Sequence, residues 1–457
     1  MPEHPLIEKY RAFAPTSATL AARAQKVFPG GDTRSSAHFA PYPLSIDHAS
    51  GCELTDVDGN LVLDFMNNFT SLIHGHAHPA VVEAVQTQVA QGSAYAATNV
   101  AQIELAELIA SRVASIELLR FTSSGTEGTQ MAIRCARAAT GRTKIIKMEG
   151  GYHGSYEAAE VSLVPLPAQR GDLHAPASLP VDDSFPASVL NDVIVCPYNQ
   201  PEMATLLIAN HADDLAAVIV EPVLGSMGMV SADREFLQAL RHATEQASAL
   251  LIFDEVITLR LASGGAQSTH GIIPDLTCMG KIIGGGLPVG GIGGRADLMN
   301  LFSPAAARPV MHASTFSGNA LTMAAGLAAM RHYSSAEAER LNDLGEALRL
   351  GFNRAFVQSG IKACAVGQGS LSNILFTDTP PRDARDALDS MLAAGHISSL
   401  LHLTMLRHGI TSAARLMYCI STPMDASHIE RAITALHESL AELRPYIEQE
   451  RPGLLAA

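Results

Sequence analysis

Residues 249–256 read ALLIFDEV. From Ala249 to Phe253 the run is apolar, and the first charge is Asp254. A strand with one wet face alternates apolar and polar residues, and this one does not. It is therefore expected to be buried on both faces, as in a parallel sheet. Three other segments read the same way: ELLRFTS (117–123), TKIIKM (143–148) and AAVIVEP (216–222). Helical patterns lie between them, for instance DREFLQALRHATEQAS (233–248). This order predicts an α/β fold with a mostly parallel central sheet.

Outside that region the character changes. GSLSNILF (369–376) and RLMYCIST (415–422) read as strands between helices, a smaller α+β domain. The expected division gives 1–70 to the smaller domain, 71–334 to the large one and 335–457 to the smaller one again. Residues 1–30 read as a leading helix, and Asp58-Gly59-Asn60 as a hairpin turn. Ile429, Ile433, Leu436, Leu440 and Leu443 follow helical spacing, with Asp425 as N-cap. Five prolines between 164 and 190 predict a long surface loop.

The 457 residues are 47% hydrophobic and 17% charged, enough to build large cores. A net charge of −14 argues against a nucleic-acid partner. Six scattered cysteines without paired spacing read as buried, reduced thiols. The charged, proline-containing N-terminus does not read as a signal peptide, and no apolar run reaches membrane-span length, so a cytoplasmic location is expected. His74, His76 and His78 alternate, but neither a cysteine nor a carboxylate completes a metal set, and no metal is expected.

Several short motifs carry chemistry. In FTSSGTEGTQ (121–130) a strand ends and Ser124-Gly125-Thr126 opens a helix, with Glu127 at capping-box spacing. Such an N-terminus is either an ordinary cap or a phosphate cradle. Asp254 ends a buried strand, where ligands of open α/β sheets collect. It either caps the next element or pairs with a cation such as a protonated ring nitrogen. Lys281, in TCMGKIIGGGLPVGG (277–291), is either one more surface lysine or a desolvated amine able to form a Schiff base with an aldehyde. Tyr152 and His153 in GGYHG offer an aromatic face, or a structural turn. The ASTFSGN stretch (313–319) offers further hydroxyls and amides. Together these describe one ligand with a phosphate, a flat ring, a protonatable nitrogen and an aldehyde. That ligand is pyridoxal phosphate.

The motifs SSGTE, GGYHG, VIVEP, LIFDEV, PDLTCMGKIIGGGLPVGG and STFSGN stand in one order along nearly the whole chain. In this the sequence resembles the class III aminotransferases of fold type I, including glutamate-1-semialdehyde aminomutase. The resemblance implies that Lys281 is the catalytic lysine holding the cofactor and that Asp254 pairs with its ring nitrogen. It implies that Ser124, Gly125 and Thr126 take the phosphate and that Tyr152, with His153 beside it, lies against the ring. Glu221 becomes a carboxylate near the cofactor. Thr315 would reach the cofactor of a neighbouring subunit, which implies a homodimer. Gly128-Thr129 replaces the usual alanine after SGTE and suggests a shifted helix start. Arg34 resembles an arginine that holds a substrate carboxylate. Arg415 resembles a second one, found in aromatic β-amino acid aminotransferases. The reading is an aminotransferase moving an amino group from a β-amino acid to 2-oxoglutarate or pyruvate. An aminomutase, a racemase and a silent binding relative are the alternatives.

Overall fold

In the computed structural model, which describes residues 4–456, the chain forms two units. One runs from Pro79 to Glu339 and takes in Pro381–Asp389. The other comprises the remaining described chain, including Arg340–Pro380. The borders read from sequence, 70/71 and 334/335, give way to 78/79 and 339/340, and 381–389 joins the larger unit.

The larger unit is built on a seven-stranded sheet. Its strands are β1 (Leu118–Thr122), β2 (Lys144–Met148), β3 (Val193–Cys196), β4 (Leu215–Val220), β5 (Leu250–Asp254), β6 (Leu276–Gly280) and β7 (Gly290–Gly294). The order across the sheet is β1-β7-β6-β5-β4-β2-β3. Every strand runs the same way except β7, which is antiparallel to both neighbours. All residues of β4 and β5 are buried, as their unbroken apolar runs require. Helix α1 (Gly125–Thr140) packs across the sheet through Met131, Ile133 and Cys135.

Strand β7 is not among the strands expected from the sequence. GGIGG is a poor strand by propensity, since glycine has neither side-chain contacts nor restricted backbone. Steric demand explains it. A Cβ on Gly290 would lie 1.9 Å from the Ser124 carbonyl oxygen, and one on Gly294 would lie 2.4 Å from that of Asp275. Gly128 of α1 faces the same strand, where a Cβ would meet the Gly291 oxygen at 2.9 Å. The glycines let helix and strand backbones touch.

The leading segment is two helices, Pro5–Phe13 and Pro15–Ala24, because Pro15 cannot continue the first. The Asp58-Gly59 turn joins antiparallel strands Glu53–Asp56 and Leu61–Asp64. Strand Ile410–Thr411 adds to the second of these in parallel, tying the late chain to the early chain within the smaller unit. A second sheet joins Cys364–Val366, Leu371–Leu375 and Met417–Cys419. The last helix, Ala426–Glu450, starts at Asp425 with a reciprocal capping box to His428.

The 164–190 loop contains a small ladder, Gly171–Asp172 with Ala175–Pro176. Arg385 anchors it. Its guanidinium grips buried Glu149 at 2.7 and 3.0 Å and donates to the carbonyls of Arg170, Gly171 and Asp172. All six cysteines are buried and free. No helix among the described residues is long and apolar enough to cross a membrane.

Candidate active site

Five parallel strands deliver the candidate residues to one edge of the large sheet. Ser124, Gly125 and Thr126 follow β1, and Tyr152 and His153 follow β2. Glu221 follows β4, Asp254 ends β5 and Lys281 follows β6. This is the carboxyl edge, where open α/β sheets bind ligands. Register brings them closer still. Gly290 pairs with both Gly280 and Thr122, so the Lys281 turn and the Ser124 turn flank one glycine. Phe253 pairs with Val220, which sets Asp254 beside Glu221.

Ser124 is the N-cap of α1. Its hydroxyl accepts the Glu127 N–H at 3.1 Å, and the helix starts at Gly125. The Glu127 carboxylate accepts the Ser123 N–H at 2.7 Å and meets His312 Nε2 at 3.0 Å. Burial would raise its pKa, but those donors outweigh burial and hold it below the usual range. The Thr129 hydroxyl donates to the His153 carbonyl at 2.5 Å, and Thr126 Oγ1 accepts the Ser155 N–H at 3.4 Å. A Cβ on Gly154 would lie 2.5 Å from Thr126 Oγ1, so only glycine lets these two loops meet.

Asp254 is 5% exposed. Oδ2 lies 2.8 Å from His153 Nδ1, and Oδ1 accepts the Val256 N–H at 3.1 Å. Burial lowers the His153 pKa, so the ring is neutral and donates from Nδ1 to the carboxylate. Its Nε2 is buried with no hydrogen-bond partner. Glu221 serves the loops: Oε2 accepts the Tyr152 N–H at 2.8 Å and Oε1 the Gly225 N–H at 3.1 Å. Burial, then the Asp254 charge, pushes its pKa up. The Tyr152 ring is 38% exposed.

Lys281 opens a 3₁₀ turn, Lys281–Gly284, at φ 50°, a conformation that costs a non-glycine residue energy and is common at functional sites. The glycines after it serve helix α2 (Ala320–His332). A Cβ on Gly285 would lie 2.4 Å from the Ala325 oxygen, and one on Gly326 of α2 would lie 2.0 Å from the Ile283 oxygen. They let the Lys281 turn pack directly on that helix.

One amine was missed. Lys147 on β2 is fully buried, and its Nζ donates to the Val161 carbonyl at 2.6 Å. Burial brings its pKa down to about 7 against the pull of Glu221, Glu149 and Glu160. A lysine inside the apolar run TKIIKM was the available signal.

Thr315 is exposed in the segment before α2, between Ser314, whose hydroxyl meets that of Ser123 at 3.1 Å, and Phe316, itself 62% exposed. In the smaller unit, Arg34 and Arg415 share one ring: their guanidinium carbons lie 5.9 and 5.5 Å from the centroid of Phe69. His76 pairs with Asp64 at 2.7 Å and His74 meets Thr422 at 3.0 Å. Among the described residues no group of three or more His, Cys, Asp or Glu is arranged to hold a metal.

A buried carboxylate, an orphaned imidazole nitrogen, a capped N-terminus of a 16-residue helix and a strained lysine fit a flat anionic ligand carrying an aldehyde. Comparison with known proteins gives the class. The model of the class-III aminotransferases matches residues 35–408. A glutamate-1-semialdehyde 2,1-aminomutase of Methanothermobacter thermautotrophicus is 36% identical, covering 94% of this chain and 99% of that one. A β-phenylalanine transaminase of Variovorax paradoxus is 37% identical, covering 94% of each. The solved structure of an omega-transaminase from Sphaerobacter thermophilus superposes with a TM-score of 0.89 at 42% identity, covering 94% of this chain and 98% of that one. The chain belongs to the class-III aminotransferases, with the type I fold. It is a pyridoxal-phosphate-dependent transaminase, and structural neighbours with the cofactor bound support the same group here.

Proposed function

We propose that this transaminase takes the amino group of a β-amino acid, an aromatic one such as β-phenylalanine, and passes it to 2-oxoglutarate or pyruvate. The observation that carries this reading is the pair of arginines, Arg34 and Arg415, gathered on Phe69. A transaminase handles two carboxylates of different placement in turn, and a guanidinium grips a carboxylate with two parallel hydrogen bonds. An aminomutase works on one molecule and has no separate acceptor to hold. The similarity to the Variovorax transaminase supports the same donor class.

The roles follow from position. Bound pyridoxal phosphate supplies the aldehyde that receives the amine and the ring that draws electrons from it. Lys281 Nζ anchors the cofactor, then takes up and returns the proton of the amine-bearing carbon. Asp254, oriented by His153, keeps a proton on the ring nitrogen. Ser124, Gly125 and Thr126 hold the phosphate, and Tyr152 covers the ring. Glu221 holds the Tyr152 loop from behind. The protein acts in the cytoplasm as a homodimer, with exposed Thr315 directed to the neighbouring subunit's cofactor.

A glutamate-1-semialdehyde aminomutase is the second reading, favoured by the Methanothermobacter relative. The test is spectral. β-Phenylalanine added alone to the cofactor-loaded protein should bleach its visible band, and 2-oxoglutarate or pyruvate should restore it. A band indifferent to β-phenylalanine but responsive to glutamate-1-semialdehyde would replace this reading with the second.

A further inference from the structure

Residues Asn67, Asn68, Phe69 and Thr70 all take positive φ, at 48°, 46°, 55° and 72°. One left-handed turn of four non-glycine residues is rare. Asparagine tolerates it, whereas phenylalanine and β-branched threonine do so only under constraint. The constraint is visible. Asp64 Oδ1 accepts the N–H groups of Met66 and Asn67, and its Oδ2 is tied to His76. Asn67 Nδ2 donates to the Cys419 carbonyl at 3.0 Å, and the Ser71 hydroxyl donates to the Asn68 carbonyl. Chain segments more than 350 residues apart lock the turn.

The turn presents Phe69 to two cations. Arg34 lies 5.9 Å from the ring centroid and donates from Nη1 to Asn68 Oδ1 at 2.9 Å. Arg415 lies 5.5 Å from the centroid, with Nη2 at 3.3 Å from Met417 Sδ. Two guanidinium groups repel each other, and the negative face of an aromatic ring attracts both. An aliphatic residue would fill the space without that attraction.

We propose that Phe69 is the positioning residue for both carboxylate-gripping arginines, so that this turn sets the enzyme's preference for substrates carrying a carboxylate. The inference rests on the assignment of Arg34 and Arg415 to substrate carboxylates.

The test separates carboxylate recognition from chemistry. Aminooxyacetate and hydroxylamine both bleach the cofactor band through the same aminooxy nitrogen, and only the first carries a carboxylate. In the cofactor-loaded protein Phe69→Leu should slow aminooxyacetate about tenfold, an effect in the range of a desolvated cation–π contact, and leave hydroxylamine unchanged. Phe69→Tyr, which keeps the aromatic face, should restore the rate. Calorimetric affinity for 3-phenylpropanoate, which has no amine, should weaken and recover in parallel. Equal slowing of both reagents by Phe69→Leu, or of neither, overturns the proposal. Arg34→Gln and Arg415→Gln mark where a failure lies. If they lower the aminooxyacetate rate and Phe69→Leu does not, the Phe69 role alone falls. If they also leave it unchanged, the assignment of the arginines falls with it.

Discussion

His153 Nδ1 stands 2.8 Å from Asp254 Oδ2, and both side chains are buried. The imidazole is neutral there, so it orients the carboxylate without cancelling its charge. Asp254 ends its strand at the ligand edge, where the proposed ring-nitrogen pairing would take place. Asp254→Asn keeps the shape and removes the charge. It should lower kcat by about 10²–10⁴ at saturating cofactor, the scale of a lost protonation role. His153→Gln keeps a donor and should cost far less. Steady-state rates at matched cofactor occupancy decide this, and equal losses would show that His153 does more than orient.

Gly290 should tolerate no side chain. Its Cβ would stand 1.9 Å from the Ser124 oxygen, and neither backbone has a flexible end to move. Gly290→Ala should destabilise the fold by about 1–3 kcal/mol, the usual cost of overpacking, or more. Because Ser124 caps α1, cofactor affinity should fall with stability. Denaturant midpoints with and without added cofactor report both effects.

The Arg385–Glu149 pair should behave as a buried ion pair. Arg385→Met leaves the Glu149 carboxylate alone, which costs about 3–5 kcal/mol in comparable sites. It also releases the carbonyls of Arg170, Gly171 and Asp172, so limited proteolysis within 164–190 should accelerate. Adding Glu149→Gln to Arg385→Met should recover part of the stability and none of the protease resistance.

His402 makes a pH prediction. It is buried against the Phe39 ring, and burial alone lowers its pKa to about 4. The unfolded chain binds that proton near pH 6.5. Stability is therefore complete above about 6.5 and declines as pH falls toward 4, by up to about 3 kcal/mol from this residue. His402→Gln should narrow the gap between urea midpoints at pH 7 and pH 4.5. An unchanged gap would show that other groups govern acid unfolding.

Much of the candidate site is legible because its residues interrupt apolar runs. Asp254 ends LLIFD, Glu221 follows LAAVIV, and Lys281 follows a strand that reads LTCMG. An unbroken run marks a buried strand, and the first polar residue marks its edge. What was missed lacks that contrast. Strand β7 is mostly glycine and carries no periodicity, so only packing identifies it as sheet. Phe69 reads as core material, and its left-handed turn depends on contacts to Cys419. Arg385 and Glu149 are 236 residues apart, with nothing local to couple them. The leading helix was read through Pro15, which divides it.

Lys281 is proposed to hold the cofactor. The larger unit contains a competing amine, Lys147, buried and with its pKa brought down to about 7. The direct measurement is to load the protein with pyridoxal phosphate, reduce it with borohydride, digest it and map the added mass by spectrometry. The label is expected on Lys281 and absent from the Lys281→Ala variant. Label on Lys147, or a visible band and label that survive Lys281→Ala unchanged, would contradict the proposal.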